Sequence, residues 1–133
     1  MEIRDEISII LVTSPIVSHP TTELIEKVVS SFDLVQGLNT CSLIIVGDGV
    51  REGRFRPKKG SVSSEMIDNY HKYLDNLHQM TQENTNSIWS NTRVIRMKEH
   101  VGFGHAVYHA LNQCHTEYVL VVQHDHPFSL EFR

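Results

Sequence analysis

Four consecutive residues late in the sequence, Gln123-His124-Asp125-His126, could all coordinate a cation or hydrogen-bond a ligand. A carboxylate beside imidazoles can bind a divalent metal, and such a metal can neutralise a diphosphate. Asp125 is the strongest single ligand of the set, and the imidazoles of His124 and His126 shift preference from Mg²⁺ toward Mn²⁺ or Zn²⁺. The plain alternative is a polar strand end meeting water, but the density of ligand-type side chains weakens it. A second acidic group, Asp48, stands between Gly47 and Gly49. Glycines let the backbone turn sharply and let a ligand approach closely, so Asp48 could accept hydrogen bonds from a base or a ribose. The commoner role for such a residue is a turn aspartate bonded to its own backbone.

Two further patterns carry weaker chemistry. Gly102-Phe103-Gly104 precedes a helical pattern, and the amides at a helix start favour anions. It lacks the third glycine of the dinucleotide fingerprint and follows the third strand, not the first. Close helix–sheet packing is therefore the expected reason for these glycines. His105 and His109 lie one helical turn apart, a zinc-chelating spacing, but two ligands fall short of a closed site. No glutamate follows the first histidine, so the metalloprotease motif is absent, and one packed plus one solvated histidine is expected. No local Ser/His/Asp or Cys/His arrangement and no P-loop occurs.

The elements that must position these groups alternate. Ile7 to Val12 is a short apolar, β-branched run that reads as a buried strand ended by Thr13-Ser14-Pro15. Pro20-Thr21-Thr22 opens a helix whose hydroxyls can cap free amides, with Leu24, Val28, Phe32 and Val35 as its stripe and Gly37 as its stop. Leu43 to Val46 is a second buried strand. Arg51 to Gly60 is a polar, basic stretch that reads as an exposed, solvated loop. A helix over roughly Ser64 to Gln82 follows, with Met66, Ile67, Tyr70, Tyr73, Leu74, Leu77 and Met80 on one face. Tyr70 and Tyr73 fit that stripe, so core packing is expected for them. After a polar connector containing Trp89 come a strand at Thr92 to Met97, a helix at Phe103 to Gln113 packed through Ala106, Val107, Ala110 and Leu111, and a strand at Tyr118 to Val122. Strand–helix alternation of this kind implies an α/β fold: a mostly parallel sheet of about four strands joined by right-handed crossovers, with helices on both faces.

Composition sets the broad class. The 133 residues are 40% hydrophobic and 21% charged, ordinary for a globular protein and close to the commonest size of one domain. A net charge of −4 argues against a dedicated nucleic-acid binder. No apolar run approaches a membrane span, and Ile7 to Val12 is too short and too closely preceded by acidic residues for a signal peptide. Cys41 and Cys114 do not make a disulfide framework, which points to a reducing, cytoplasmic setting.

The order and spacing of three stretches resemble the nucleotide-binding half of family-two glycosyltransferases with the GT-A fold. Ser8 to Thr13 is similar to that family's opening strand. Leu43-Ile44-Ile45-Val46-Gly47-Asp48-Gly49 is similar to its second strand and acidic turn, with Gly47 in place of the first aspartate. Val101-Gly102-Phe103-Gly104-His105-Ala106-Val107, followed by Glu117 to Asp125, resembles its glycine-rich helix start and the strand leading to its DxD motif. The likeness spans nearly the whole chain except Arg51 to Asn91. It implies a Rossmann-like, GT-A-like domain over residues 1–133, incomplete at its C-terminal end. It implies a donor site for a UDP- or GDP-linked sugar at Thr13, Pro15, Asp48, Gly102 and Gly104, with Asp48 against the nucleobase. It also implies a divalent metal, Mn²⁺ or Mg²⁺, at Asp125, the last aspartate of that motif. Gln123 replaces the first aspartate and removes one anionic ligand, a loss that His124 or His126 would offset.

The implied reaction transfers the sugar to an acceptor hydroxyl. The family's base and acceptor site lie beyond the DxD strand, so the catalytic base and the acceptor are not named by this sequence, and the chain reads as a donor-binding half or a fragment. A reading of a different class is a non-catalytic binding module on a degenerate GT-A scaffold, favoured by Gln123 and by the missing second half. A nucleotidyltransferase would carry a Gly-rich basic loop where Thr13-Ser14-Pro15 stands. A homodimer is one way to cover apolar surface left by an incomplete end.

Overall fold

The computed structural model describes residues 2–14, 22–49, 64–83, 88–99 and 101–124. A one-turn helix α1 (Ile3–Glu6) leads into β1 (Ile7–Thr13). There follow α2 (Glu23–Ser30), β2 (Ser42–Gly47), α3 (Ser64–Glu83), β3 (Thr92–Arg96), α4 (Phe103–Leu111) and β4 (Tyr118–Gln123). The strands form one four-stranded sheet in the order β3-β2-β1-β4, and every neighbouring pair is parallel. This is an α/β, Rossmann-like arrangement.

The central strands explain why the sheet is parallel. β1 and β2 are rich in isoleucine and valine and are buried along nearly their whole length, so neither face meets water. Successive side chains point to opposite faces. Ile9, Leu11, Leu43 and Ile45 share one cluster with Ile25 and Val28 of α2, Phe32 just after it, and Leu74 and Leu77 of α3. Ile10, Val12, Ile44 and Val46 meet α4 through Ala106 and Ala110.

The winding direction reverses once. From β1 the chain steps through α2 to β2 and through α3 to β3, always away from β4. It then crosses back by α4, on the opposite face, to reach β4 on the far side of β1. The carboxyl ends of β1 and β4 therefore flank the point where strand order reverses.

Several local expectations need correction. Val28 and Phe32 are buried as expected and Val35 packs against the core, but Leu24 is 37% exposed and Ile25 and Val29 are buried beside the expected stripe. The Thr22 hydroxyl does not cap an amide; it donates to the Glu26 carboxylate at 2.8 Å. The α-helix ends at Ser30 and tightens to a 3-10 turn over Ser31–Leu34, before Gly37 is reached. The Ser31 hydroxyl donates back to the Val28 carbonyl there, an alternative partner of the kind that favours helix ends. α4 stops at Leu111, two residues early, and Leu111 is 39% exposed. The reason is placement: α4 crosses β1 and β2, so only Ala106 and Ala110, one turn apart, are buried against the sheet. The expectation of close packing at Gly102 and Gly104 also fails, since a Cβ at either would meet nothing within 4 Å. The close approaches are at Gly49, whose Cβ would lie 2.2 Å from the Glu99 carbonyl carbon, and at Gly47, against Leu74 and Tyr70.

Candidate functional site at the reversal of strand order

In open α/β sheets, ligands bind outside the carboxyl ends of the strands where the order reverses. A cavity of about 410 Å³ opens there. Its walls are Val12 and Ser14 from the end of β1, Asp48 from the end of β2, Gly102 and Phe103 from the start of α4, and Gln123 and His124 from the end of β4. Register explains the convergence: Val12 pairs with Gln123, and Thr13 pairs with Gly47. The three strands thus end at the same height. The Asp48 amide extends the β1–β2 ladder by one bond, donating to the Thr13 carbonyl at 3.1 Å.

Asp48 is 4% exposed, and its carboxylate is held by backbone amides. Oδ1 accepts from the Gly49 amide at 2.8 Å and the Val101 amide at 2.9 Å, and Oδ2 accepts from the Gly102 amide at 3.1 Å. Its own carbonyl accepts from the Tyr70 hydroxyl at 2.6 Å. Gly102 sits at φ +84°, where a side chain would be strained, so this glycine serves backbone conformation.

Thr13 is 1% exposed and stands behind the wall, so Ser14 meets the cavity in its place. The Thr13 hydroxyl lies 2.9 Å from the Tyr73 hydroxyl and 2.8 Å from Nδ1 of His124. A chain of polar contacts thereby runs from α3, through β1, to the end of β4. Tyr70 and Tyr73 are buried as expected, and each adds a hydroxyl contact to the strand ends. Burial pushes the Tyr73 hydroxyl up to about 12, against a smaller lowering by its bond to Thr13. Burial, then the nearby Asp48 carboxylate, raise Tyr70 further still, so both stay protonated donors near neutrality.

A smaller cavity of about 190 Å³ lies on the other side of Asp48, beside Tyr70, His71, Arg96 and Lys98. Arg96, at the end of β3, pairs with Asp75 and lies 3.3 Å from Nδ1 of His71. A third cavity, about 310 Å³, opens at the amino ends of the strands around Ser8, Ser42, Arg93 and Thr116. It is well formed, but parallel sheets place ligands at the opposite end, so the reversal point is the stronger site.

The structure brings Asp48, Gly102, Gln123 and His124 to one cavity. Gly104 lies in the exposed first turn of α4 and does not line it. Pro15, Asp125, His126 and the basic stretch Arg51 to Gly60 lie outside the described residues. Among the described residues, no three histidine, cysteine, aspartate or glutamate side chains come together to hold a metal. His105 and His109 are both exposed on α4, rather than one packed and one solvated, because only Ala106 and Ala110 of that helix are buried. Cys41 and Cys114 are unpaired and belong to opposite faces of the sheet. Among the described residues no helix is long and apolar enough to cross a membrane.

Sequence reasoning missed two contributors. In sequence, Ser14 shows only as part of a strand stop, and the hydroxyls of Tyr70 and Tyr73 are hidden in an apolar stripe. The signal was present for the tyrosines: buried tyrosine hydroxyls need partners, and the polar strand ends are the nearest supply. No protein-family model matches the chain, and no curated protein matches it either.

Proposed function

We propose that the chain binds a nucleotide-diphosphate sugar, UDP- or GDP-linked, at the carboxyl ends of β1 and β4, as the donor half of a glycosyltransferase. The observation that carries this reading is the cavity at the reversal of strand order, with Gln123 and His124 on its wall and Asp125 next in sequence. Its volume of about 410 Å³ falls in the range of small-molecule sites. In the reaction, an acceptor hydroxyl attacks the anomeric carbon of the sugar as the bond to the diphosphate breaks. A divalent ion, Mn²⁺ or Mg²⁺, held by Asp125 with His124 or His126, would stabilise negative charge on the departing diphosphate. The acceptor hydroxyl's proton goes to a base outside the residues named here.

A second reading, a non-catalytic binding module on the same scaffold, is favoured by one observation: Gln123 stands where the resembled motif has an acidic ligand. Calorimetric titration of the chain with UDP and GDP, with and without Mn²⁺, separates the two. The donor-site reading predicts Mn²⁺-dependent binding of one nucleotide that is lost in Asp125→Ala. Nucleotide binding that ignores both Mn²⁺ and Asp125→Ala would favour the module. Failure of both nucleotides to bind would overturn the donor-site reading.

A further inference from the structure

We propose that Asp48 is a positioning residue for the reversal-point cavity and not a contact to the nucleobase: its carboxylate fixes the Val101–Gly102 turn that forms one wall. The inference rests on the donor-site reading and deepens it.

Successive backbone amides that point to one spot make a small anion-binding concavity. Here the amides of Val101 and Gly102 form such a spot, and the anion in it is the chain's own Asp48 carboxylate, at 2.9 and 3.1 Å. With the Gly49 amide also bound, at least three donors engage two carboxylate oxygens, one of them twice. Hydrogen bonds from backbone amides to an ionised, buried carboxylate are short and strong relative to neutral pairs.

The bonds join segments far apart in sequence. They tie the end of β2 to the residues immediately before α4, 53 and 54 positions further on. Two further features hold the same junction. Gly49 lets the backbone run against Glu99, where a Cβ would lie 2.2 Å from the carbonyl carbon. Gly102 adopts φ +84° with open space around it, so its conformation and not its size is what the junction uses. Asp48 lines both the larger and the smaller cavity, as expected of a partition that holds a turn in place. A base reader, by contrast, would keep its acceptors directed at a ligand.

The test uses Asp48→Asn in the whole chain, with two readouts. The first is amide hydrogen exchange. Asn has one acceptor oxygen in place of two, so the account expects the Val101 or Gly102 amide to exchange roughly tenfold faster or more than in the unmodified chain. Equal exchange in both proteins would overturn the proposal. The second is nucleotide preference. A positioning role predicts that UDP and GDP weaken by the same factor, leaving their ratio unchanged. A tenfold or larger change in that ratio would assign Asp48 to the base and overturn the proposal. Gly102→Ala, which strains the same turn without touching the carboxylate, should reproduce the effect, and the double variant should be no worse than either single one. Fully additive losses would contradict a shared route. If Asp48→Asn does not fold, Gly102→Ala and Asp48→Glu carry the same two readouts. If the unmodified chain binds neither nucleotide, the donor-site reading fails while exchange at Val101 and Gly102 still decides the role of Asp48.

Discussion

The two faces of the sheet are built unequally. On one, Ile25 of α2, Phe32 of the 3-10 turn after it, Leu74 and Leu77 of α3, and Trp89 just before β3 cover the strands, forming a thick apolar layer. On the other, among the described residues, one nine-residue helix rests on β1 and β2 through Ala106 and Ala110. Val119 and Val121 of β4 stay partly exposed, because α4 does not reach over them. Among the described residues the thick face holds the larger cluster of buried apolar side chains, the kind of burial that stabilises a fold. The thin face places the start of a short helix, with Gly102 and Phe103, on the wall of the cavity. The cavity at the reversal of strand order thus lies beside the thinner of the two described layers.

Five changes probe the contrast between the two faces. Phe32→Ala, in the thick layer, should cost about 3–5 kcal/mol in chemical denaturation, because a fully buried ring leaves a cavity. A loss below about 1 kcal/mol would show that the two faces are not so different. Alkaline pH should weaken the same face. Burial pushes the Tyr73 hydroxyl from its ordinary value near 10 up to about 12, so its contribution is fully present below pH 10 and is lost as pH rises to about 12. That share amounts to roughly 2–3 kcal/mol at most, and a pH titration of Tyr73→Phe should lack it.

Ala110→Leu tests the thin face from the other direction. Extra methylenes between α4 and the sheet should cost about 1–3 kcal/mol through overpacking, in spite of that helix's exposure. Near neutral pH, Tyr73→Phe should cost about 1 kcal/mol in thermal or urea unfolding, since it removes one buried hydroxyl contact and leaves His124 beside Thr13. Leu111→Ala on exposed α4 should stay within about 0.5 kcal/mol. A larger loss there would mean that α4 is covered by something beyond the described contacts.

Much of the fold was legible because it rests on strong local signals. The β-branched runs Ile7 to Val12 and Leu43 to Val46, and the long stripe of α3, leave little choice of element, and strand–helix alternation leaves little choice of topology. α1 escaped because four residues show no periodicity. Leu24 of α2 and Leu111 of α4 depart from the expected buried sides because apolar residues occur on more than one side of each helix. Which side is buried is set by where the helix crosses the sheet, a tertiary fact. The site was legible in part. Asp48 and Gly102 were marked by glycine-rich strand ends, yet nothing local in sequence shows that a carboxylate will bond amides 53 residues away. The order β3-β2-β1-β4, which puts the ends of β1 and β4 side by side, is likewise not written in any one segment.

A nucleotide-diphosphate site at the ends of β1 and β4 is tested by paramagnetic broadening of backbone amide signals by Mn²⁺ with UDP or GDP present. The account predicts broadening centred on Gln123 and His124, reaching Ser14 and Gly102, and abolished in Asp125→Ala. Broadening centred instead on His105 and His109, or unchanged by Asp125→Ala, would contradict it.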